Sequence, residues 1–374
     1  MRIIHVVTLV GDNGAYGGPV GVATSQLGEL AGRGHEVGLV ALWRGRGAPP
    51  RTLDGVPLHA RRARTCVPGQ GFSGLFHFGL LPLLWRLAGR ADVLHLHAGR
   101  DLVSLAALAA AVLRRRPFLA QTHGMVQPRR TAPARAFDRC FVPLLRRAAA
   151  LLVLTDAEEA GLREVLGPGG PRLVRMPNGV RVQARGAAAE RQPTEVLFLA
   201  RLQARKRPEA FVRMAALVHA KRPEVTFPVH GADEGRLAEV RLAVAEEGLG
   251  GVVAYGGTLD HDAAVRRLAR ATVYVLPSVD EPFPMGVLEA LAVGTPVVCT
   301  DRCGIAAALR RHDAAAVTDG SPEQLAGAVL ELLDDAELRD RRAAAGRVAV
   351  AAEFSLAAVA DRLEEWYGFL GGGG

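Results

Sequence analysis

The sequence predicts an α/β protein built from two successive parallel sheets of about equal size. Three observations carry this. Short apolar runs that read as buried parallel strands alternate with helical segments along the chain. The alternation stops at a short, polar, alanine-rich segment, 186–193, and then restarts. A length of 374 residues, 49% of them hydrophobic, supplies apolar material for two cores of ordinary size.

Met1–Val10 opens as a buried strand, a near-continuous run of Ile3, Ile4, Val6, Val7, Leu9 and Val10. The glycine-rich loop Gly11–Pro19 follows, then a helix with Val22, Leu27 and Leu30 on one side. Arg33-Gly34-His35 breaks that helix, and Glu36–Leu42 completes a βαβ unit. Further strands are expected at Val93–His97, Phe118–Thr122, Leu151–Thr155 and Leu173–Met176. Beyond the linker, strands fall at Glu195–Ala200, Val225–His230, Val252–Tyr255, Val273–Pro277 and Pro296–Thr300. Helices lie between them at Arg207–His219, Arg236–Glu247, Ala263–Ala271 and Gly286–Ala292. The expected domains are residues 1–188 and 189–352, followed by an amphipathic closing helix within 353–370. Nothing repeats with a solenoid period of 20–50 residues.

Composition narrows the function. Residues 1–185 carry a net charge of +14 and the remainder −6, so the halves meet different partners or each other. With 46 Lys+Arg of which only Lys206 and Lys221 are lysine, single arginines say little about phosphate binding. No basic strand interleaved with aromatics marks a nucleic-acid module. The N-terminus lacks a long apolar segment with a cleavage site, and no stretch of 18 apolar residues is free of charge, so a cytoplasmic location is expected. Cys66, Cys140, Cys299 and Cys303 lack zinc-site spacing and read as free thiols.

Parallel sheets bind ligands beyond the carboxyl ends of their strands, and polar or glycine clusters from both halves fall there. The expected site is the cleft between the domains. Arg201 and Lys206 stand between a strand and a helix, where two cations and a helix N-terminus suit a diphosphate; the plainer alternative is solvated charge. Glu281 and Glu289 flank Pro282–Leu288. Acids there can accept from sugar hydroxyls, with backbone N–H groups between them for phosphate; Glu289 reads equally as a first-turn helix acid. His123, between a strand end and Gly124, is either a cleft residue or a structural histidine. His5, His95 and His97 are weaker candidates. Asp260-His261-Asp262 matches the D-x-D pattern that holds divalent ions in some sugar-nucleotide enzymes, but its place before a helix reads as a cap. The Gly17-Gly18 loop lacks the G-x-G-x-x-G spacing, and the next strand ends in Trp43-Arg44 without an acid, which disfavours a nicotinamide enzyme.

Taken in order, these pieces resemble the family-4 retaining glycosyltransferases, which have the GT-B fold of two Rossmann-like domains. The resemblance is carried by Gly17-Gly18 with Ala31–Val37, Thr122-His123-Gly124 and Pro177–Val180. The second half adds Ala200-Arg201-Leu202 with Lys206, Leu276-Pro277-Ser278, Glu281 to Glu289-Ala290, Gly294–Val298 and Asp301. It implies a nucleotide-diphosphate sugar as donor substrate, a hydroxyl acceptor, no bound metal and no cofactor. Arg201 and Lys206 would contact the diphosphate, and Glu289 the ribose. Glu281 would touch the donor sugar with the amides of Met285, Gly286, Val287 and Leu288. His123 would lie near the reacting carbon, Gly17 and Gly18 would approach the phosphates, and the closing helix would pack back on the first domain. The chain departs from the pattern at Pro284 and after Asp301, where Cys303–Ala307 replaces a glycine pair and an acid. A sugar-nucleotide epimerase on a similar scaffold is the competing class. The apolar segment 72–87, with Arg114–Arg116 and other arginines in the same half, is either a buried helix or a peripheral contact with an anionic membrane, which would imply a lipid-linked acceptor. Without it, the acceptor is a small soluble molecule such as a secondary metabolite or an inositol phosphate.

Overall fold

The computed structural model describes residues 1–11, 17–182 and 194–371. The chain divides into two units, Met1–Gly179 with Leu356–Gly374, and Val180–Ser355. The expected linker 186–193 and residues 12–16 of the first loop lie outside the described residues.

In the first unit, β1 (Arg2–Gly11) is followed by α1 (Gly17–Gly32), β2 (Glu36–Arg44), β3 (Thr52–Leu53), β4 (Val56–Arg62) and a short ribbon of β5 (Arg64–Thr65) and β6 (Leu75–Phe76). Then come α2 (Leu80–Arg90), β7 (Val93–His97), α3 (Leu102–Leu113), β8 (Phe118–Gln121), α4 (Ala132–Leu145), β9 (Ala150–Val153), α5 (Asp156–Leu166) and β10 (Arg172–Arg175). Eight strands form one sheet in the order β10-β9-β8-β7-β1-β2-β4-β3. All its pairings are parallel except β3 with β4. Both faces are covered, which is why the strands read as continuous apolar runs rather than alternating ones. On one face Val6, Leu94 and Leu151 pack with Leu83, Leu108 and Phe141. On the other, Ile3, Val7 and Val93 pack with Leu27 and Leu30 of α1. The strand order reverses between β1 and β7.

The second unit runs β11 (Val196–Leu199), α6 (Pro208–His219), β12 (Phe227–His230), α7 (Leu237–Glu246), β13 (Val253–Tyr255), α8 (His261–Arg270) and β14 (Val273–Leu276). It continues with α9 (Met285–Val293), β15 (Val297–Thr300), α10 (Ala306–Arg311), β16 (Ala316–Thr318), α11 (Pro322–Asp334) and α12 (Ala336–Ala349). Its six strands are all parallel, in the order β13-β12-β11-β14-β15-β16. The order reverses between β11 and β14, the place where an open parallel sheet leaves room for a ligand.

The closing helix α13 (Leu356–Gly371) belongs to the first unit. Its Val359, Leu363 and Tyr367 are fully buried against the α1 face of the sheet. Each such side chain contributes about 2 kcal/mol. Arg33 at the end of α1 donates to Asp361 and Glu364, and His35 pairs with Glu364 at 2.7 Å. Asp361 is mostly exposed, and surface pairs of this kind contribute at most about 1 kcal/mol each. Apolar burial therefore holds α13, and the ion pairs fix its register.

The apolar segment 72–87 divides between two environments. Leu75, Leu80, Leu83 and Leu84 are buried, whereas Phe72, Phe78, Leu81 and Trp85 are exposed. The buried-helix expectation thus holds for one side of α2, and the other apolar side chains of the segment lie at the surface. Among the described residues no helix is long and apolar enough to cross a membrane.

Candidate active site

The strand reversal in the second unit gathers most of the candidates. After β11 the chain passes close to Gly231, whose φ is +146° and where a Cβ would stand 1.9 Å from the Ala200 carbonyl oxygen. Only glycine permits that approach. Arg201 then donates to Glu234 at 2.7 Å, a largely exposed pair. Ala204–Lys206 form a 3-10 turn, ending at Arg207 in the left-handed conformation that opens α6. This turn sends the Lys206 side chain inward.

Lys206 donates to Glu281 Oε2, and Arg205 Nε lies 3.8 Å from the same oxygen. The Lys206 side chain is 12% exposed and that of Glu281 7%. Burial pushes the Lys206 ammonium below its ordinary pKa of 10.5, and Glu281 pulls it back up. Glu281, expected to touch the donor sugar, is buried here as the counter-ion of Lys206. Its backbone is lashed to the segment after β15, where Gly304 N donates to Glu281 O at 2.8 Å and Cys303 forms a bridge with it. Cys303 and Gly304, at the start of the stretch that departs from the family pattern, thus hold the Glu281 loop.

Helix α9 begins at Met285 behind Pro284, with no side-chain cap and no acid in its first turn. Its N-terminus therefore presents the positive end of the helix dipole without a built-in anion. Gly286 sits where a Cβ would lie 2.8 Å from Tyr274 Oη, which itself donates to Leu199 O. This packs the helix start onto β11 and β14. Glu289 corrects the first-turn reading: it falls in the second turn of α9, beyond the reach of the dipole. Burial raises its carboxyl pKa above the ordinary 4.5, opposed by His261, whose Nδ1 is 3.8 Å away. Val287 and Leu288 are fully buried, and their N–H groups donate to the Pro284 carbonyl oxygen at 3.1 and 3.3 Å, so of the amides expected to meet a ligand those of Met285 and Gly286 head the helix.

In the first unit, Gly17 and Gly18 open α1, whose first turn carries no acid. A Cβ at Gly18 would meet nothing within 4 Å, so packing leaves that space open. His123 follows β8 with φ +49°, a strained conformation for a non-glycine residue. Glu158, which the sequence reading missed, pins it. Its carboxylate, buried near the start of α5, accepts from Thr122 Oγ1, from Gly124 N at 2.6 Å and from Leu154 N at 2.7 Å. No local pattern marks Glu158 apart from other acids in a helix's first turn; only the fold carries it to the turn that holds His123. Burial pushes the His123 imidazole down to about 3, keeping it neutral.

Asp260 caps α8, accepting from Ala263 N at 2.8 Å, as its position before the helix indicated. All four cysteines are free, Cys299 and Cys303 buried and Cys66 and Cys140 exposed.

The family model described as "Glycosyl transferase 4-like domain" matches residues 17–179, and "Glycosyl transferases group 1" matches residues 182–349. The chain belongs to the family-4 glycosyltransferases. This glycosyltransferase is 36% identical to a D-inositol 3-phosphate glycosyltransferase from Thermobispora bispora over 183 residues, 46% of this chain and 42% of that relative. The match thus spans less than half of that relative's length. An alpha-D-kanosaminyltransferase from Streptomyces kanamyceticus is 26% identical over 383 residues, covering 89% of this chain and 98% of the relative. Among solved structures, Anabaena HepE in complex with UDP superimposes with a TM-score of 0.77 at 16% identity, covering 99% of this chain and all of the other. At that identity the likeness establishes the GT-B fold.

Proposed function

We propose that this glycosyltransferase moves a sugar from a nucleoside-diphosphate donor to a hydroxyl acceptor with retention of anomeric configuration and without a bound metal. The observation that supports this best is the second unit's strand reversal. There the buried Lys206 and its neighbour Arg205 stand with Arg201 at the end of β11, and the uncapped start of α9 follows β14. Cations and helix amides so placed suit a diphosphate better than any other common ligand group.

The donor's bond from the anomeric carbon to the phosphate oxygen breaks as the acceptor oxygen forms its bond on the same face of the sugar. The acceptor's proton passes to the departing phosphate. Lys206 and Arg201 hold the charge that grows there, worth most where water is excluded. Glu281 orients Lys206, and Glu289, when ionised, accepts from the ribose. His123 approaches the sugar hydroxyls. UDP, present in HepE complexes alone and with glucose, is the first nucleotide to test.

A lipid-linked acceptor is favoured over a soluble one by the exposed set Phe72, Phe78, Leu81 and Trp85, with the Arg114 guanidinium 4.7 Å over the Trp85 ring. Aromatic and aliphatic side chains beside arginines suit an anionic bilayer surface. A panel of nucleotide sugars and acceptors, read by mass spectrometry with linkage analysis, tests the whole reading. Acceptor-dependent release of nucleoside diphosphate and an α-linked product from an α-linked donor are expected; an inverted linkage would refute retention. Co-sedimentation with anionic vesicles at low salt, weakening near about 0.5 M salt as screening grows, tests the membrane contact. Failure to pellet at low salt would turn the search to soluble acceptors.

A further inference from the structure

His5 on β1, His95 and His97 on β7, and His123 after β8 form one hydrogen-bonded chain that ends on the closing helix. His97 Nδ1 lies 2.7 Å from His123 Nε2, and His97 Nε2 lies 3.0 Å from His5 Nδ1. His5 Nε2 and His95 Nδ1 both meet Tyr367 Oη, at 3.1 and 2.7 Å. The two β7 histidines share a sheet face because they are two residues apart, and β1 pairs His5 directly with His95. His5, His95, His97 and Tyr367 are fully buried.

We propose that this chain sets the tautomer of His123, holding all four histidines in the Nε2–H form so that His123 presents Nδ1 as a hydrogen-bond acceptor to a donor-sugar hydroxyl. The sugar hydroxyl in this statement rests on the transferase reading; the tautomer does not.

Each neutral imidazole has one donor and one acceptor nitrogen, and the buried tyrosine has one proton to give. If Tyr367 donates to His95, then His5 must donate to Tyr367 from Nε2, His97 to His5 from Nε2, and His123 to His97 from Nε2. If Tyr367 donates to His5, every ring reverses to Nδ1–H. Intermediate arrangements place two donors or two lone pairs face to face in a buried site. The far end decides between the two directions. His95 Nε2 and Gln121 Oε1 are both buried and neither has a hydrogen-bond partner. The β7–β8 register pairs His97 with Gln121, which puts Gln121 on the face that carries His95, close enough for its side chain to act on the His95 ring. Gln121 Nε2 already donates to Asn178 Oδ1 at 3.3 Å, leaving its carbonyl oxygen as the end that accepts. An N–H on His95 Nε2 suits that oxygen, and a lone pair does not. Burial keeps the rings neutral: His95 and His123 are pushed down to about 3, and His5 and His97 well below the usual range. The nitrogens of His5, His95 and His97 lie within 4.8 Å of one another, a spacing that admits a metal ion. Both nitrogens of His5 and of His97 are already engaged, however, so an ion would have to break the chain.

His97, His5 and Tyr367 are thus positioning residues for His123. The test is 15N NMR of the full chain labelled at histidine, in which two-bond nitrogen–proton correlations distinguish the tautomers, with His123 assigned from His123→Asn. In the wild type His5, His95, His97 and His123 should all show Nε2–H near neutral pH. Tyr367→Phe keeps the ring but removes the hydroxyl, so His5 loses its acceptor and His123 should shift toward Nδ1–H. Turnover should then fall about fivefold to tenfold, the scale of one hydrogen bond, while binding of free nucleoside diphosphate is unchanged. Mixed or Nδ1–H tautomers in the wild type would overturn the proposal, as would an unchanged His123 in a folded Tyr367→Phe protein. Should that variant fail to fold, the wild-type spectrum alone decides. A wild-type protein inactive with every donor would defeat the transferase reading and leave the tautomer measurement standing.

Discussion

Replacing Lys206 with alanine strands the Glu281 carboxylate, whose side chain is 7% exposed, and this sets the size of the effect. Removing one member of a buried ion pair costs about 3–5 kcal/mol, because the remaining charge keeps its desolvation penalty and loses its partner. Arg205 Nε remains 3.8 Å from the stranded oxygen on a side chain that is 38% exposed and able to move closer. The lower end, about 3 kcal/mol, is therefore expected. For a unit of this size each kcal/mol shifts the melting temperature by about 2–4 °C, so the second unit should melt about 6–12 °C lower. Pairing Lys206→Ala with Glu281→Gln removes the stranded charge and should recover most of that loss. Turnover should not recover: each variant should fall by about two orders of magnitude, the scale of losing one group that stabilises the leaving charge. Calorimetric melts of the single and double variants, beside nucleoside diphosphate release and its binding by titration calorimetry, separate the two effects. A Lys206→Ala protein that melts with the wild type and turns over normally would refute both the buried pair and its role. A double variant that regains activity with its stability would show that Lys206 acts through folding alone.

Three further outcomes follow from the same geometry. Burial raises Glu289 above 4.5, so the folded chain binds its proton at a higher pH than the unfolded one. Its contribution to stability is therefore present below 4.5 and is lost as pH rises through the folded value. Nucleoside diphosphate binding runs the other way, weakening as pH falls through that value, and Glu289→Gln should flatten this trend in calorimetric titrations; an equal slope in the variant would remove Glu289 from the ribose site. Asp260→Ala should cost about 0.5–2 kcal/mol as the α8 cap is lost, with transfer indifferent to chelator; chelator-sensitive transfer restored by Mn²⁺ would contradict this. Glu158→Gln places an amide among three donors and should destabilise the first unit by about 2–3 kcal/mol and lower turnover through His123, measured by melting and single-turnover kinetics; unchanged turnover in the folded variant would show that the turn holds without it.

The sequence by itself determined what depends on near neighbours. Continuous apolar runs marked the strands because both faces of each sheet are covered. Asp260 was legible as a cap because its acceptor meets an amide three residues away. Lys206 and Glu281 stood out by type and by position at strand ends, and the family pattern added their order. The tertiary structure decided the partners. Glu281 could not be seen as the counter-ion of Lys206, because the two are 75 residues apart and meet only where β11 and β14 lie side by side. Glu158 looks like any first-turn acid until α5 brings it to the turn after β8. His5, His95 and His97 read as weak, separate candidates, and Tyr367 lies unmarked in the amphipathic closing helix. Their chain closes over a separation of 362 residues, from β1 to α13. Side-chain type and local spacing fix a residue's backbone hydrogen bonds and the face it occupies. What a buried polar group bonds to depends on which strands are adjacent, and that is set only when the whole sheet packs.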